Sequence, residues 1–128
     1  LLKHHVDLVI LSGYMKKLGP ATLETCHGRI LNIHPALLPK YGGQGMYGDH
    51  VHARVLASGD QYTGATIHFV NEAYDEGEIV EQRTIRIHDT DTVDTLAERV
   101  KECEGDLIVE VIQKICDGMI LIPHRDVV

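Results

Sequence analysis

Apolar residues run almost unbroken through VDLVILSG (residues 6–13) and stop at Gly13. Such a run predicts a strand covered on both faces, as in a parallel sheet. In GRILNIHP (28–35) Asn32 and His34 alternate with Leu31 and Ile33, and Pro35 ends the strand. The spacing turns helical in DHVHARVLASGD (49–60), where Val51 and Val55 are four apart and Gly59 supplies the stop. YTGATIHFVNE (62–72) returns to period two, with Ala65, Ile67 and Phe69 on one face and Thr66, His68 and Val70 on the other. An acidic turn, NEAYDEGE (71–78), leads into a further alternating strand, EIVEQRTIRIH (78–88). Residues 89–118 then predict a long helix. Thr92 or Asp91 can cap it, Val93, Leu96, Val100, Leu107, Val111 and Ile115 mark its apolar stripe, and Gly118 ends it. Gly105 leaves a bend or two helices open. YMKKLGPATLETC (14–26) reads as a loop or short helix, and MILIPH (119–124) as a last short strand.

Strands separated by helices imply parallel pairs with right-handed crossovers. The strand after the acidic turn is expected to return antiparallel, because so short a connection cannot cross over. The expected fold is α/β: a mostly parallel sheet with one antiparallel strand and helices on its faces. Such sheets bind ligands beyond the carboxyl ends of their strands. Asn32 and His34 lie at such an end.

Composition narrows the functional classes. A length of 128 residues fits one domain, with 44% hydrophobic and 24% charged residues. The net charge of -7 argues against a nucleic-acid surface. No apolar stretch approaches the roughly 18 residues of a membrane span. Cys26, Cys103 and Cys116 form no CxxC pair, which points to a reducing, cytoplasmic setting. Cys103 and Cys116 are expected to be buried as small hydrophobes. Adjacent residues, and residues two apart on a helix, diverge in direction, so surface or satisfied histidines are expected at His4-His5, His50-x-His52 and Cys26-His27 rather than a metal.

Asn32 and His34, two apart on a strand, point to the same side. The acidic loop after the neighbouring strand offers Asp75, and His68 lies near that strand's end. Asn32 can donate an N–H to a developing oxyanion, and a protonated His34 adds charge. Asp75 can favour the imidazolium and relay a proton from an attacking amine. No Ser or Cys nucleophile stands beside the set. Direct acyl transfer to an amine therefore fits better than an acyl-enzyme. From spacing alone, Asn32 and His34 serve equally well as groups that satisfy the backbone where the strand ends.

ILNIHPALLPKY (30–41) and GATIHFVNEAYDEGEIVEQ (64–82) resemble the folate-dependent formyltransferases, and so does DLVILSGYMKKLGP (7–20). The similarity is greatest to the branch that acts on glycinamide ribonucleotide in purine synthesis. The resemblance implies a Rossmann-like fold. It implies catalytic roles for Asn32, His34 and Asp75, with His68 helping to order the site around the substrate. It places a folate pocket at Met15, Lys16 and Leu18 and along the loop of Asn71, Glu72, Ala73, Tyr74 and Asp75. It assigns Lys101 and Glu104, three apart on the long helix, to the ribonucleotide; without it they would read as a surface ion pair. The implied reaction moves a formyl group from 10-formyltetrahydrofolate, a co-substrate, to the amine of glycinamide ribonucleotide, with no metal. Small molecules are the expected partners, with no nucleic acid or membrane.

The same resemblance implies that residues 1–128 are the C-terminal two-thirds of a catalytic domain whose glycine-rich, phosphate-binding first portion is absent. The strand at 6–13 would then keep an unpaired edge, with self-association or a separate N-terminal segment as the expected remedy. The loop GGQGMYGDH (42–50) is longer than in many members and is expected to be structural or gating. Two alternatives stay open: a formyltetrahydrofolate deformylase, with water as acceptor, and a non-catalytic folate-binding fragment.

Overall fold

A computed structural model of the chain describes residues 8–12, 30–42, 49–70 and 78–120. Six elements follow in order: β1 (Val9–Ser12), β2 (Ile30–His34), α1 (Asp49–Ser58), β3 (Tyr62–Phe69), β4 (Ile79–Arg86) and α2 (Val93–Cys116). The four strands form one sheet in the order β1-β2-β3-β4. Each alternating stretch of the sequence corresponds to a strand. The loop or short helix expected over 14–26 lies outside the described residues, as does most of the expected strand at 119–124.

The strand directions correct one expectation. β1 and β2 are parallel, with Leu11 opposite Asn32. β2 and β3 are antiparallel, with Asn32 opposite His68 and His34 opposite Thr66. β4 is antiparallel to β3 in turn. The described sheet is therefore mixed, with one parallel and two antiparallel pairs, and the strand that runs against the other three is β3. The physical reason lies in α1. Its Val51 and Val55 pack against Leu96 and Val100 of α2, together with Ala36 and Tyr41, instead of covering the sheet as a crossover helix would.

The other half of α2 closes the sheet. Cys103, Leu107 and Val111 pack on Leu31, Ile33, Ala65 and Ile67, the face opposite Asn32 and His34. Each fully buried aliphatic side chain there contributes about 1.5–3 kcal/mol. α2 runs unbroken through Gly105 for 24 residues. Thr92 caps it, accepting from the Thr95 N–H while the Thr95 hydroxyl accepts from the Thr92 N–H. Gly118, at φ +75°, ends it. Arg83 and Lys114 tie β4 to α2 through Glu110 and Glu81. Cys103 is buried as expected, but Cys116 is exposed, one residue before the helix cap. β1 lies at the sheet edge among the described residues. No helix among them is long and apolar enough to cross a membrane.

Candidate active site

Period two places Asn32 and His34 on one face of β2, and the antiparallel register adds Thr66 and His68 from β3 to the same face. Asn32 Nδ2 lies 3.3 Å from His68 Nε2. His68 Nδ1 lies 3.0 Å from the carbonyl of Phe69. A carbonyl only accepts, so Nδ1 carries the hydrogen and Nε2 accepts from Asn32. This chain of bonds sets the Asn32 amide, whose Nδ2 donates to His68. Asn32 Oδ1 is buried and has no partner among the described residues. An orphaned buried acceptor is costly in a finished protein and suits one that awaits a donor.

His34 is 3% exposed. Its Nε2 donates to the Tyr41 carbonyl at 2.5 Å. The chain after Pro35 thus folds back as a strap over the strand it leaves. Thr66 fastens this strap. Its hydroxyl donates to Ala36 O at 2.9 Å and accepts from Leu38 N–H at 3.2 Å. Gln82 Nε2 donates both to Thr66 Oγ1 and to Leu38 O, each at 3.0 Å. A cis bond joins Leu38 and Pro39 in the strap. At its far end the Tyr41 hydroxyl donates to Asp60 and lies 2.8 Å from Ser58 Oγ. Lys40 pairs with the same carboxylate at 3.0 Å. The Tyr41 hydroxyl, then the Lys40 ammonium, hold the Asp60 carboxyl below its usual range.

Sequence reasoning therefore finds Asn32, His34 and His68, and the structure brings them onto one sheet face. It misses Tyr41, Thr66 and Gln82. Their signal was Thr66 on the polar face of its strand, which gains meaning only once the register sets it opposite His34.

Asp75 is a different matter. Because β3 runs against β2, Val70 bonds to Ile30, at the start of β2 rather than its end. The strand-end argument that brought Asp75 beside His34 does not hold. The loop begins three residues after His68, and the Phe69 N–H closes it on Glu78 O at 2.9 Å. Asp75 itself lies outside the described residues, as do Met15, Lys16, Leu18 and Asn71–Tyr74. Lys101 and Glu104 lie on α2 and form no salt bridge with each other. Burial raises the Glu104 carboxyl to about 7, against the opposing effect of Lys101. No group of His, Cys, Asp and Glu among the described residues is arranged to hold a metal.

The family model for formyl transferases matches residues 1–112, and the chain belongs to that family. Within it, a chloroplastic phosphoribosylglycinamide formyltransferase from Arabidopsis thaliana is 50% identical over 120 residues, 94% of this chain and 41% of that protein. The crystal structure of glycinamide ribonucleotide transformylase 1 from Symbiobacterium toebii superposes with a TM-score of 0.83 at 35% identity, covering 97% of this chain and 56% of that one. A formyltetrahydrofolate deformylase from Pseudomonas syringae has a TM-score of 0.81 at 24% identity, covering 96% of this chain and 40% of that one, a likeness of fold alone. The chain spans about half the length of the relatives it matches.

Proposed function

We propose that this chain carries the formyl-transfer residues of a phosphoribosylglycinamide formyltransferase. The reaction passes a formyl group from 10-formyltetrahydrofolate to the primary amine of glycinamide ribonucleotide. The observation that carries this reading is the amide of Asn32, oriented by His68 and with its oxygen buried without a partner among the described residues.

The amine attacks the formyl carbon and a carbon–nitrogen bond forms. The carbonyl oxygen becomes an oxyanion, stabilised by the Asn32 amide N–H and by protonated His34. Collapse of the intermediate breaks the bond to the folate nitrogen, and the proton lost by the amine ends on that nitrogen. Asp75 supports the imidazolium and relays this proton. Met15, Lys16, Leu18 and the loop Asn71–Asp75 form the folate pocket in this reading. Lys101 and Glu104 contact the ribonucleotide. A half-buried carboxyl held near neutrality, with no hydrogen bond among the described residues, suits a role in ligand binding. The substrates are small molecules and the mechanism uses no metal, nucleic acid or membrane. A reducing cytoplasm suits Cys103 and Cys116, both free thiols.

The acceptor distinguishes the readings. Incubation with 10-formyltetrahydrofolate and glycinamide ribonucleotide should yield formylated ribonucleotide, with no formate when the ribonucleotide is omitted. Formate release without the amine would assign water as acceptor. Folate binding without any product would leave a binding fragment.

A further inference from the structure

Gln82 is an exposed residue of β4, an edge strand among the described residues. A polar side chain at such a place is free to reach for water. Its amide instead lies inward over Thr66, its direct partner in the register of β3 and β4. There Nε2 spends both hydrogens, one on Thr66 Oγ1 and one on the Leu38 carbonyl, each at 3.0 Å. A carbonyl only accepts, so the nitrogen of the amide, and not its oxygen, faces the strap. We propose that Gln82 is a positioning residue for formyl transfer: its amide clamps the strap onto β3 and so holds in place the segment that borders His34.

The strap has no backbone ladder to the sheet among the described residues. Its own backbone bonds, Tyr41 N–H to Leu37 O at 3.4 Å and Gly42 N–H to Pro39 O at 3.2 Å, close it on itself. Side chains therefore fix its height above the strands. Thr66 takes the Leu38 N–H and Gln82 takes the Leu38 carbonyl, so both polar groups of this residue are tied to the sheet. Leu38 is only 7% exposed, and a carbonyl orphaned there reaches water only if the strap lifts. Thr66 stands opposite His34 in the register of β2 and β3. At the strap's end the Tyr41 carbonyl lies 2.5 Å from His34 Nε2. A lift at Leu38 thus reaches one of the contacts of His34, whatever else that ring meets. Gln82 touches no reacting group and acts only through the strap. The consequence for catalysis rests on the proposed function, whereas the clamp does not.

The test combines amide NMR with turnover in the 128-residue chain. Gln82→Met keeps the reach and loses both donated hydrogens. Gln82→Glu sets a carboxylate against the Leu38 carbonyl, and Gln82→Lys keeps a donor. In Gln82→Met the amide ¹H and ¹⁵N shifts of Leu38 and Tyr41 should move, while those of Leu107 and Val111 in α2 keep their wild-type values. In the formyl-transfer assay kcat should fall roughly tenfold with methionine and further with glutamate, the cost of a displaced catalytic group, with KM for the folate unchanged. Gln82→Lys should recover most of the lost kcat. A merely structural role would lower the melting temperature of these variants without dividing kcat from KM or donor from acceptor. Strap shifts unmoved in Gln82→Met and Gln82→Glu, or kcat within about twofold of wild type in both, would overturn the proposal. Absence of formylated product from the wild-type chain would remove the functional reading instead. The shifts alone then decide the clamp: moved, they uphold it, and unmoved, they overturn it.

Discussion

Replacing Thr66 by valine keeps the shape of the side chain and removes one hydroxyl. The residue is fully buried, and its oxygen accepts from Leu38 N–H and Gln82 and donates to Ala36 O. Gln82 keeps its second bond, to Leu38 O. Leu38 N–H and Ala36 O are left without partners in residues that are 7% and 0% exposed. Each orphaned buried group costs about 1–3 kcal/mol, and the added methyl recovers at most about 1 kcal/mol, for a net loss of about 1–5 kcal/mol. Thr66→Ser keeps the hydroxyl and loses a methyl, a cost of about 1 kcal/mol. Urea unfolding followed by circular dichroism compares the midpoints at constant m-value. The valine variant should be the less stable of the two by a clear margin. A valine variant within about 0.5 kcal/mol of wild type, or a serine variant less stable than valine, would refute the strap's dependence on this hydroxyl.

Other positions answer to other parts of the fold. Gly64→Ala would set a Cβ 1.9 Å from the Arg83 carbonyl oxygen, so β4 must move away from β3. The expected loss is about 3 kcal/mol or more, read as a lowered melting temperature, and an unchanged melt would contradict the packing of this pair. Asp91 lies at the entry to α2. Burial pushes its carboxyl up, but hydrogen bonds from the His88 N–H, the Thr95 hydroxyl and Arg99 more than offset this and leave it lowered. A carboxyl lower in the folded state stabilises above its unfolded value of about 3.9, and that stability is lost as pH falls through the folded value. Asp91→Ala should therefore cost about 2–3 kcal/mol at pH 7 and progressively less in acid, by thermal melts from pH 3 to 7. Glu104 has the opposite sign: with its folded value at about 7, above the unfolded one, its charge weakens the fold as pH rises. Glu104→Gln should raise the melting temperature at pH 8 more than at pH 5, and an equal effect at both would contradict the burial of its carboxyl.

The elements were legible because their periods differ. Period two marked β3 and β4, and the stripe from Leu96 to Val111 marked α2 across Gly105. The direction of β3 was not legible. A segment of helical spacing between two strands suggests a crossover, yet α1 lies on α2, and nothing in Val51 or Val55 says which apolar surface they meet. Asn32 and His34 were visible as chemistry on one face of β2. Their partners were not, because the Tyr41 carbonyl is a backbone group that any residue could supply, and Thr66 meets the strap only through a fold-back after Pro35. The placing of Asp75 by strand ends depended on a parallel β3 and fell with it, so its catalytic role rests on resemblance to the formyltransferases.

The claim that Asn32 and His34 carry formyl transfer is tested most directly by one paired measurement on His34→Ala: turnover of 10-formyltetrahydrofolate with glycinamide ribonucleotide, and affinity for a folate analogue by isothermal titration. Turnover should be abolished while folate affinity stays within a few-fold of wild type. Near-normal turnover in this variant would contradict it.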